Sequence, residues 1–411
     1  MALLDVGIMF AAVAVVGMVA DRLGQSVIPF YILAGMSLGE FVLGRLSLPV
    51  VGTAYVPETE FIALGAELGI VFLLFFLGLE FNLDRLLARR TQIGTAGTID
   101  LANFGAGLVL GWLVFGAFLP AFLVAGIVYI SSSAVITKSL IDLGWIANDE
   151  AEPLLGTLVY EDLFIAVYLA VASALVLGGG DVAAAAVDIG IAIGFILGLL
   201  LLVRFGTPAF DRLVATDNRE FVALRSIGTV VLVAGAALAL GVSEAVAAFF
   251  VGMAFSSTAH AHDIETLLEP VRDTFAAVFF FWIGLVTDPT LFGGVAALIA
   301  LAVVVTTPTK LVTGYLAGRA FDLDTRRSTR VALGMTTRGE FSLIIATIAV
   351  TGADAGAFDP ALAATINAFA VGYVLVMAVL GTTLMQYSGP FESIAVSWLD
   401  RSAGDGGSDR L

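Results

Sequence analysis

The chain has no cysteine, which excludes disulfides and thiolate metal sites. It has two lysines, Lys138 and Lys310, and two histidines, His260 and His262. Charged residues make up only 13% of the chain, where a water-soluble domain carries about 25%. Positive charge is the scarcer sign: the net charge is −16. So acidic a surface argues against nucleic acid as a partner, and acidic loops almost free of lysine fit a high-salt cytoplasm. No basic leader with a cleavage site opens the sequence, so the first apolar run is expected to be a retained span.

What fills the space is apolar. Hydrophobic residues make up 59% of the chain, and mean hydropathy is +1.03. Windows of about 20 apolar residues, the length that crosses a bilayer as a helix, recur from end to end. They predict an all-α polytopic membrane protein with thirteen spans: 3–20, 27–43, 61–80, 92–118, 121–143, 154–177, 182–205, 221–240, 243–258, 270–287, 291–317, 329–351 and 361–386. Residues 1–386 then form one membrane domain, and the polar stretch 387–411 reads as a flexible cytoplasmic tail.

The basic residues give an orientation. With the N-terminus outside, the outer connections hold Arg45 alone, while sixteen basic residues fall on the inner side. That asymmetry predicts a cytoplasmic C-terminus in the plasma membrane. Lys310 and Arg338 are left over, and both lie inside apolar spans.

Short motifs repeat. Ala34-Gly35-Met36 in the second span matches Val251-Gly252-Met253 in the ninth. Phe75-x-x-Gly78-Leu79 in the third matches Phe281-x-x-Gly284-Leu285 in the tenth. Both offsets are seven spans, an odd number, so the two halves cross the membrane in opposite senses. This predicts two six-helix inverted repeats, about 3–177 and 221–386, joined by a linker helix at 182–205.

The same offset pairs the fifth and twelfth spans. The fifth carries Ser131-Ser132-Ser133 and Thr137; the twelfth carries Thr336-Thr337-Arg338-Gly339-Glu340. Hydroxyls can satisfy freed backbone groups and Gly339 permits a bend, so both are expected to break near mid-membrane. The bland alternative for the serines is close helix packing.

Glu161 and Asp162 sit inside the sixth span. An acid at that depth is costly, which makes it a functional-site candidate. By residue count Asp162, Lys310 and Arg338 reach one level of the membrane, where Arg338 is expected to pair with Glu161 or Glu340. Lys310 could instead snorkel to the inner face. Asp162, Glu161, Ser132, Ser133, Thr137 and Thr336 are the candidate cation- and proton-binding groups, with Asp162 the ligand of a monovalent metal ion. Their oxygens suit hard cations. A proton and a cation competing for one carboxylate, with access alternating between the two sides, is antiport.

Several stretches resemble the monovalent cation:proton antiporter-2 family, most closely its Kef-type potassium efflux branch. They are Ile28-Pro29-Phe30-Tyr31-Ile32-Leu33-Ala34-Gly35, Leu68-Gly69-Ile70, Phe76 through Glu80, Ser131 through Ile136, Ser243 through Gly252, Pro270 through Gly284, and Gly339-Glu340-Phe341. The resemblance implies a sodium/proton antiporter-like fold and a homodimer. The fifth, sixth, twelfth and thirteenth spans would form a moving core. Asp162 would be the cation- and proton-binding aspartate, Lys310 its pairing lysine, and Arg338 the arginine before the glycine. No cofactor is implied beyond the transported K⁺ or Na⁺. Two departures stand out. Glu161 replaces the usual glutamine, which resembles paired-acid electrogenic antiporters. The cytoplasmic nucleotide-binding domain common in the branch does not follow here, so it is expected to be absent, cut away or a separate protein.

His260 and His262 read as polar loop residues or as a pH- or metal-sensing pair. Glu67 and Glu244 lie near the outer face. Asp100 and Asn103, in the fourth span, line an inner cavity or simply sit near the headgroups. Two other functions compete with antiport: a gated cation channel, or a sodium-coupled symporter on the same scaffold. A channel would line its pore at several levels, whereas these charges collect at one. An enzyme is not expected, since an intramembrane aspartyl protease needs a second catalytic aspartate and Asp100 lacks a glycine-flanked motif.

Overall fold

A computed structural model describes residues 2–45, 55–80, 89–177, 208–216, 218–239, 244–256, 258–356 and 358–400, with residues 194, 197, 198 and 201 besides. The described residues form helices and short connections, with no strand among them. The helices are α1 (Ala2–Arg22), α2 (Val27–Leu38), α3 (Glu60–Glu80), α4 (Arg90–Phe115), α5 (Phe118–Tyr129), α6 (Ser133–Asp142), α7 (Ala151–Leu177) and α8 (Arg219–Ala239). There follow α9 (Glu244–Ser256), α10 (Ala261–Leu285), α11 (Phe292–Ala320), α12 (Thr325–Gly334), α13 (Glu340–Asp354), α14 (Pro360–Gln386) and α15 (Ser388–Ala395).

Local chemistry sets the ends of these helices. Ser26 caps α2 by accepting from the Ile28 N–H, Asp324 caps α12 from Arg327, and Asp359 caps α14 from Leu362. Pro360 opens α14, where its missing N–H costs nothing. Gly116 takes a left-handed φ of 64° and lets α4 turn back into α5. Among the described residues, eight helical stretches are long and apolar enough to cross a membrane. Their outer faces expose residues such as Leu113, Leu232 and Val304, as a lipid-facing surface requires. The chain is a multi-pass membrane protein. The expected linker helix at 182–205 falls almost wholly outside the described residues.

Among the described residues, the glycines of the repeated motifs make the closest backbone-to-backbone approaches. A Cβ on Gly35 would lie 1.8 Å from the Phe281 carbonyl, and one on Gly284 would lie 1.9 Å from that of Ile32. One on Gly78 would lie 2.0 Å from the Phe249 carbonyl, and one on Gly252 2.0 Å from that of Phe75. So α2 packs backbone-to-backbone on α10, and α3 does the same on α9. Small residues permit this approach in lipid, where dispersion and not hydrophobicity draws helices together.

The stretch read as a tail begins with helix: residues 388–395 form α15, and 396–400 continue as a turn of π-helix. Glu392 of α15 bonds Arg326 at 2.5 Å and Arg330 at 2.8 Å, both on α12. Arg330 also reaches Glu150, ahead of α7, at 2.7 Å, and stacks over Trp145. The composition of 387–411 is polar on average. That average hides Phe391, Ile394 and Trp398 and the buried Glu392.

Candidate functional site

The fifth and twelfth predicted spans are both broken. Helix α5 ends at Tyr129 and α6 begins at Ser133; α12 ends at Gly334 and α13 begins at Glu340. The breaks cross, with the Ser132 N–H donating to the Thr337 carbonyl at 3.3 Å. Gly339 is required where they touch, since a Cβ there would lie 2.4 Å from Ser132 Oγ.

Every break frees backbone groups that must find partners at this depth. The Ser131 N–H donates to Glu161 Oε2 at 2.7 Å. Ser132 Oγ caps α6 by accepting from Val135 N–H at 3.2 Å. Ser342 Oγ donates to the Ile127 carbonyl at 2.7 Å. The guanidinium of Arg338 donates to the carbonyls of Val128, Met335 and Thr337 at 2.9, 3.1 and 2.7 Å. Arg338 therefore sits at the C-terminal ends of α5 and α12, where helix dipoles concentrate negative charge. Glu340 does the opposite. It opens α13 and accepts from Ser132 Oγ at 2.6 Å and Ser133 Oγ at 3.0 Å, at the positive N-terminal ends of α6 and α13. The expectation that Arg338 pairs with Glu161 or Glu340 is thus replaced by backbone carbonyls as its bonded oxygens.

Lys310, buried in the middle of α11, does not snorkel. Its Nζ lies 2.6 Å from Glu161 Oε1, 2.6 Å from Asp100 Oδ2 and 3.1 Å from Ser131 Oγ. It also lies 5.2 Å from the centre of the Tyr129 ring. The resemblance implied Asp162 as its partner; the ion pairs seen are with the neighbouring acid Glu161 and with Asp100. Glu161 takes three bonds, from Lys310 and from both the N–H and the hydroxyl of Ser131.

Asp162 follows on the next position of α7 and is buried. Ser131, Ser132 and Ser133 all bond into the crossing. Thr336 is fully buried, but its hydroxyl turns back to the Leu333 carbonyl at 2.6 Å. Thr137 is half-buried one turn into α6 and joins neither acid cluster among the described residues.

The residues underweighted in the sequence are Asp100, Asn103 and Thr313. Asp100 Oδ1 accepts from Asn103 Nδ2 and from Thr313 Oγ1, both at 2.9 Å, and Asn103 Nδ2 also meets Thr313 Oγ1 at 2.9 Å. A signal was there to read. Asp100 and Asn103 on one apolar span, and Lys310 and Thr313 on another, have the same i, i+3 spacing, which stacks each pair on one helix face. His260 and His262 lie 3.8 Å and 3.6 Å from Asp263 and Glu265 in exposed i, i+3 pairs. No group of three or more His, Asp or Glu able to hold a metal ion occurs among the described residues.

Comparison with known proteins agrees with this geometry. The chain is 35% identical over 386 residues to the K(+)/H(+) antiporter subunit KhtU of Bacillus subtilis (strain 168), covering 93% of each chain. It is 28% identical over 393 residues to the ammonium/H(+) antiporter subunit AmhT of Alkalihalophilus pseudofirmus, covering 94% of this chain and 93% of the relative. Its fold superposes on the sodium proton antiporter MjNhaP1 of Methanocaldococcus jannaschii at pH 8 with a TM-score of 0.72 and 16% identity, over 96% of this chain and 99% of that one. With two helices broken at a buried crossing, acids and a lysine set against the breaks, and the sodium/hydrogen exchanger, transmembrane, model matching residues 8–387, the chain belongs to the sodium/hydrogen exchanger family.

Proposed function

We propose that the protein is a secondary antiporter that exchanges a monovalent cation, K⁺ or Na⁺, for protons by alternating access, with Asp162 the carboxylate for which they compete. One observation carries this reading: Glu161, the residue before Asp162, bonds the freed Ser131 N–H inside the helix crossing. That bond holds this part of α7 against the crossing of the two breaks, where backbone oxygens leave their helices. A cation bound there would be stripped of water in part and held by hard oxygen donors. Helix ends facing a mid-membrane crossing are where secondary transporters bind their ions.

The bonds of Glu161 to Lys310 and Ser131 support it as a group that fixes the crossing, beside Asp162 as the exchanging acid. The relatives named for potassium and ammonium support a weakly hydrated monovalent ion. The reciprocal joints Gly35–Gly284 and Gly78–Gly252 support two inverted repeats, since exchanging the halves maps one joint onto the other. We also propose thirteen spans, an outside N-terminus in the plasma membrane, and a homodimer.

Proteoliposomes holding the purified chain test the site. A cation gradient should drive proton movement, and Asp162→Asn should abolish it. Sodium, potassium, rubidium, lithium and ammonium compared side by side give the ion, and an imposed membrane potential gives the charge balance. Exchange at the wild-type rate in the Asn variant would remove Asp162 from the mechanism.

A further inference from the structure

A cation site at Asp162 has a competitor built into the protein. The ammonium of Lys310 is itself a monovalent cation, and it rests on Glu161, one residue away. Consecutive helical residues point about 100° apart, and the lysine arm is long and flexible. An ammonium that swung from one carboxylate to the next would occupy the place of the transported ion.

The structure shows what restrains it. A lysine has three N–H donors, and the three oxygens of Asp100, Glu161 and Ser131 take them at 2.6, 2.6 and 3.1 Å. Asp100 comes from α4, so its pull adds a second anchor to that of α7. Its carboxylate is oriented in turn, with the amide of Asn103 and the hydroxyl of Thr313 both on Oδ1 at 2.9 Å, which leaves Oδ2 to Lys310. Thr313 lies one turn beyond Lys310 on α11, and the Lys310 carbonyl accepts from its hydroxyl at 3.3 Å as well. Asp100, Asn103, Thr313, Lys310 and Glu161 are all buried. Burying a second acid is costly unless something needs it. Glu161 already supplies Lys310 with a counter-charge, so Asp100 is not required for neutrality.

We propose that Asp100 is a positioning residue for cation transport: it holds the Lys310 ammonium against Glu161 and so keeps that ammonium from competing with the transported ion at Asp162. Asn103 and Thr313 aim it. The inference rests on Asp162 being the cation site.

The test is cation-titrated exchange in proteoliposomes at fixed pH, with KM and maximal rate separated. Asp100→Asn should raise the cation KM about tenfold with a smaller change in maximal rate, the mark of lost binding. Adding Lys310→Gln to that variant should bring KM back toward wild type, because no ammonium remains to compete. A purely structural role for Asp100 would lower yield and maximal rate, and removing Lys310 would not repair it. A wild-type KM in Asp100→Asn, or a raised KM that Lys310→Gln leaves unrepaired, overturns the proposal. If Asp100→Asn does not fold, Thr313→Val loosens the same carboxylate and should raise KM more modestly; no rise there overturns it equally. Asp162→Asn run alongside separates the two readings. Exchange surviving in that variant defeats the antiport site itself, whereas its loss together with an unshifted Asp100→Asn defeats only the clamp.

Discussion

Lys310 joins three helices through one nitrogen, and that concentration has a thermodynamic consequence. Replacing it with methionine would leave Asp100 and Glu161 buried without their shared counter-charge. Breaking a buried pair in this way costs about 3–5 kcal/mol, so Lys310→Met should lower the melting temperature of the detergent-solubilised protein sharply. Replacing Asp100, Lys310 and Glu161 together by Asn, Met and Gln should recover part of that loss, since no unpaired charge remains. A single variant as stable as wild type would mean the ion pairs of Lys310 contribute nothing to stability. Arg338 acts differently. It is held by carbonyls, not carboxylates, so Arg338→Lys keeps the charge but not a planar fork able to reach three oxygens. That variant should fold less stably than wild type in the same melting assay.

At the scale of elements, the breaks and the glycine joints divide the work. The two crossing breaks build the site, and the joints between α2 and α10 and between α3 and α9 set the frame around it. Gly252→Val should separate α9 from α3, since its Cβ would press on the Phe75 carbonyl. The expected result is a loss of monodisperse protein on size exclusion, with little effect from the same change at Gly228, whose Cβ would meet nothing within 4 Å. The existence of the breaks was legible from serine, threonine and Gly339 in apolar spans. The partners of the freed groups were not. A sequence gives the depth of Arg338 from a count of residues but not the direction of its side chain. Pairing by depth alone therefore chose an acid where the structure has helix-end carbonyls. Lys310 met the same limit: Glu161 and Asp162 differ by one residue in depth, and only rotation around α7 tells them apart.

At the scale of the whole molecule, α15 ties the end of the membrane domain to α12, the half-helix that leads into the second break. Burial raises the proton affinity of Glu392, but hydrogen bonds from Arg330, Arg326 and Ser388 outweigh it and hold its carboxyl down at about 2, below the ordinary 4.5. A depressed folded-state value means the joint contributes fully above the unfolded value and loses its contribution as pH falls through about 2. Amide hydrogen exchange in 388–395 should therefore be steady from neutral pH down to about 4.5 and lose protection below it, after correction for intrinsic rates. Glu392→Gln should show weak protection throughout, with no such step. Equal protection in both proteins would show that α15 is held by its apolar contacts alone.

Composition and periodicity were enough for a multi-pass helical membrane protein, because lipid leaves backbone groups no partner but their own helix. Buried charge in an apolar span was enough to mark Asp162, Glu161, Lys310 and Arg338, because such charge is too costly to be incidental. The tertiary structure alone decided which oxygen meets which nitrogen. Asp100 meets Lys310 only because α4 and α11 come together, 210 positions apart in the chain. Contacts between helices depend on which way each helix is turned, and a linear count of residues carries no record of that angle between one span and the next.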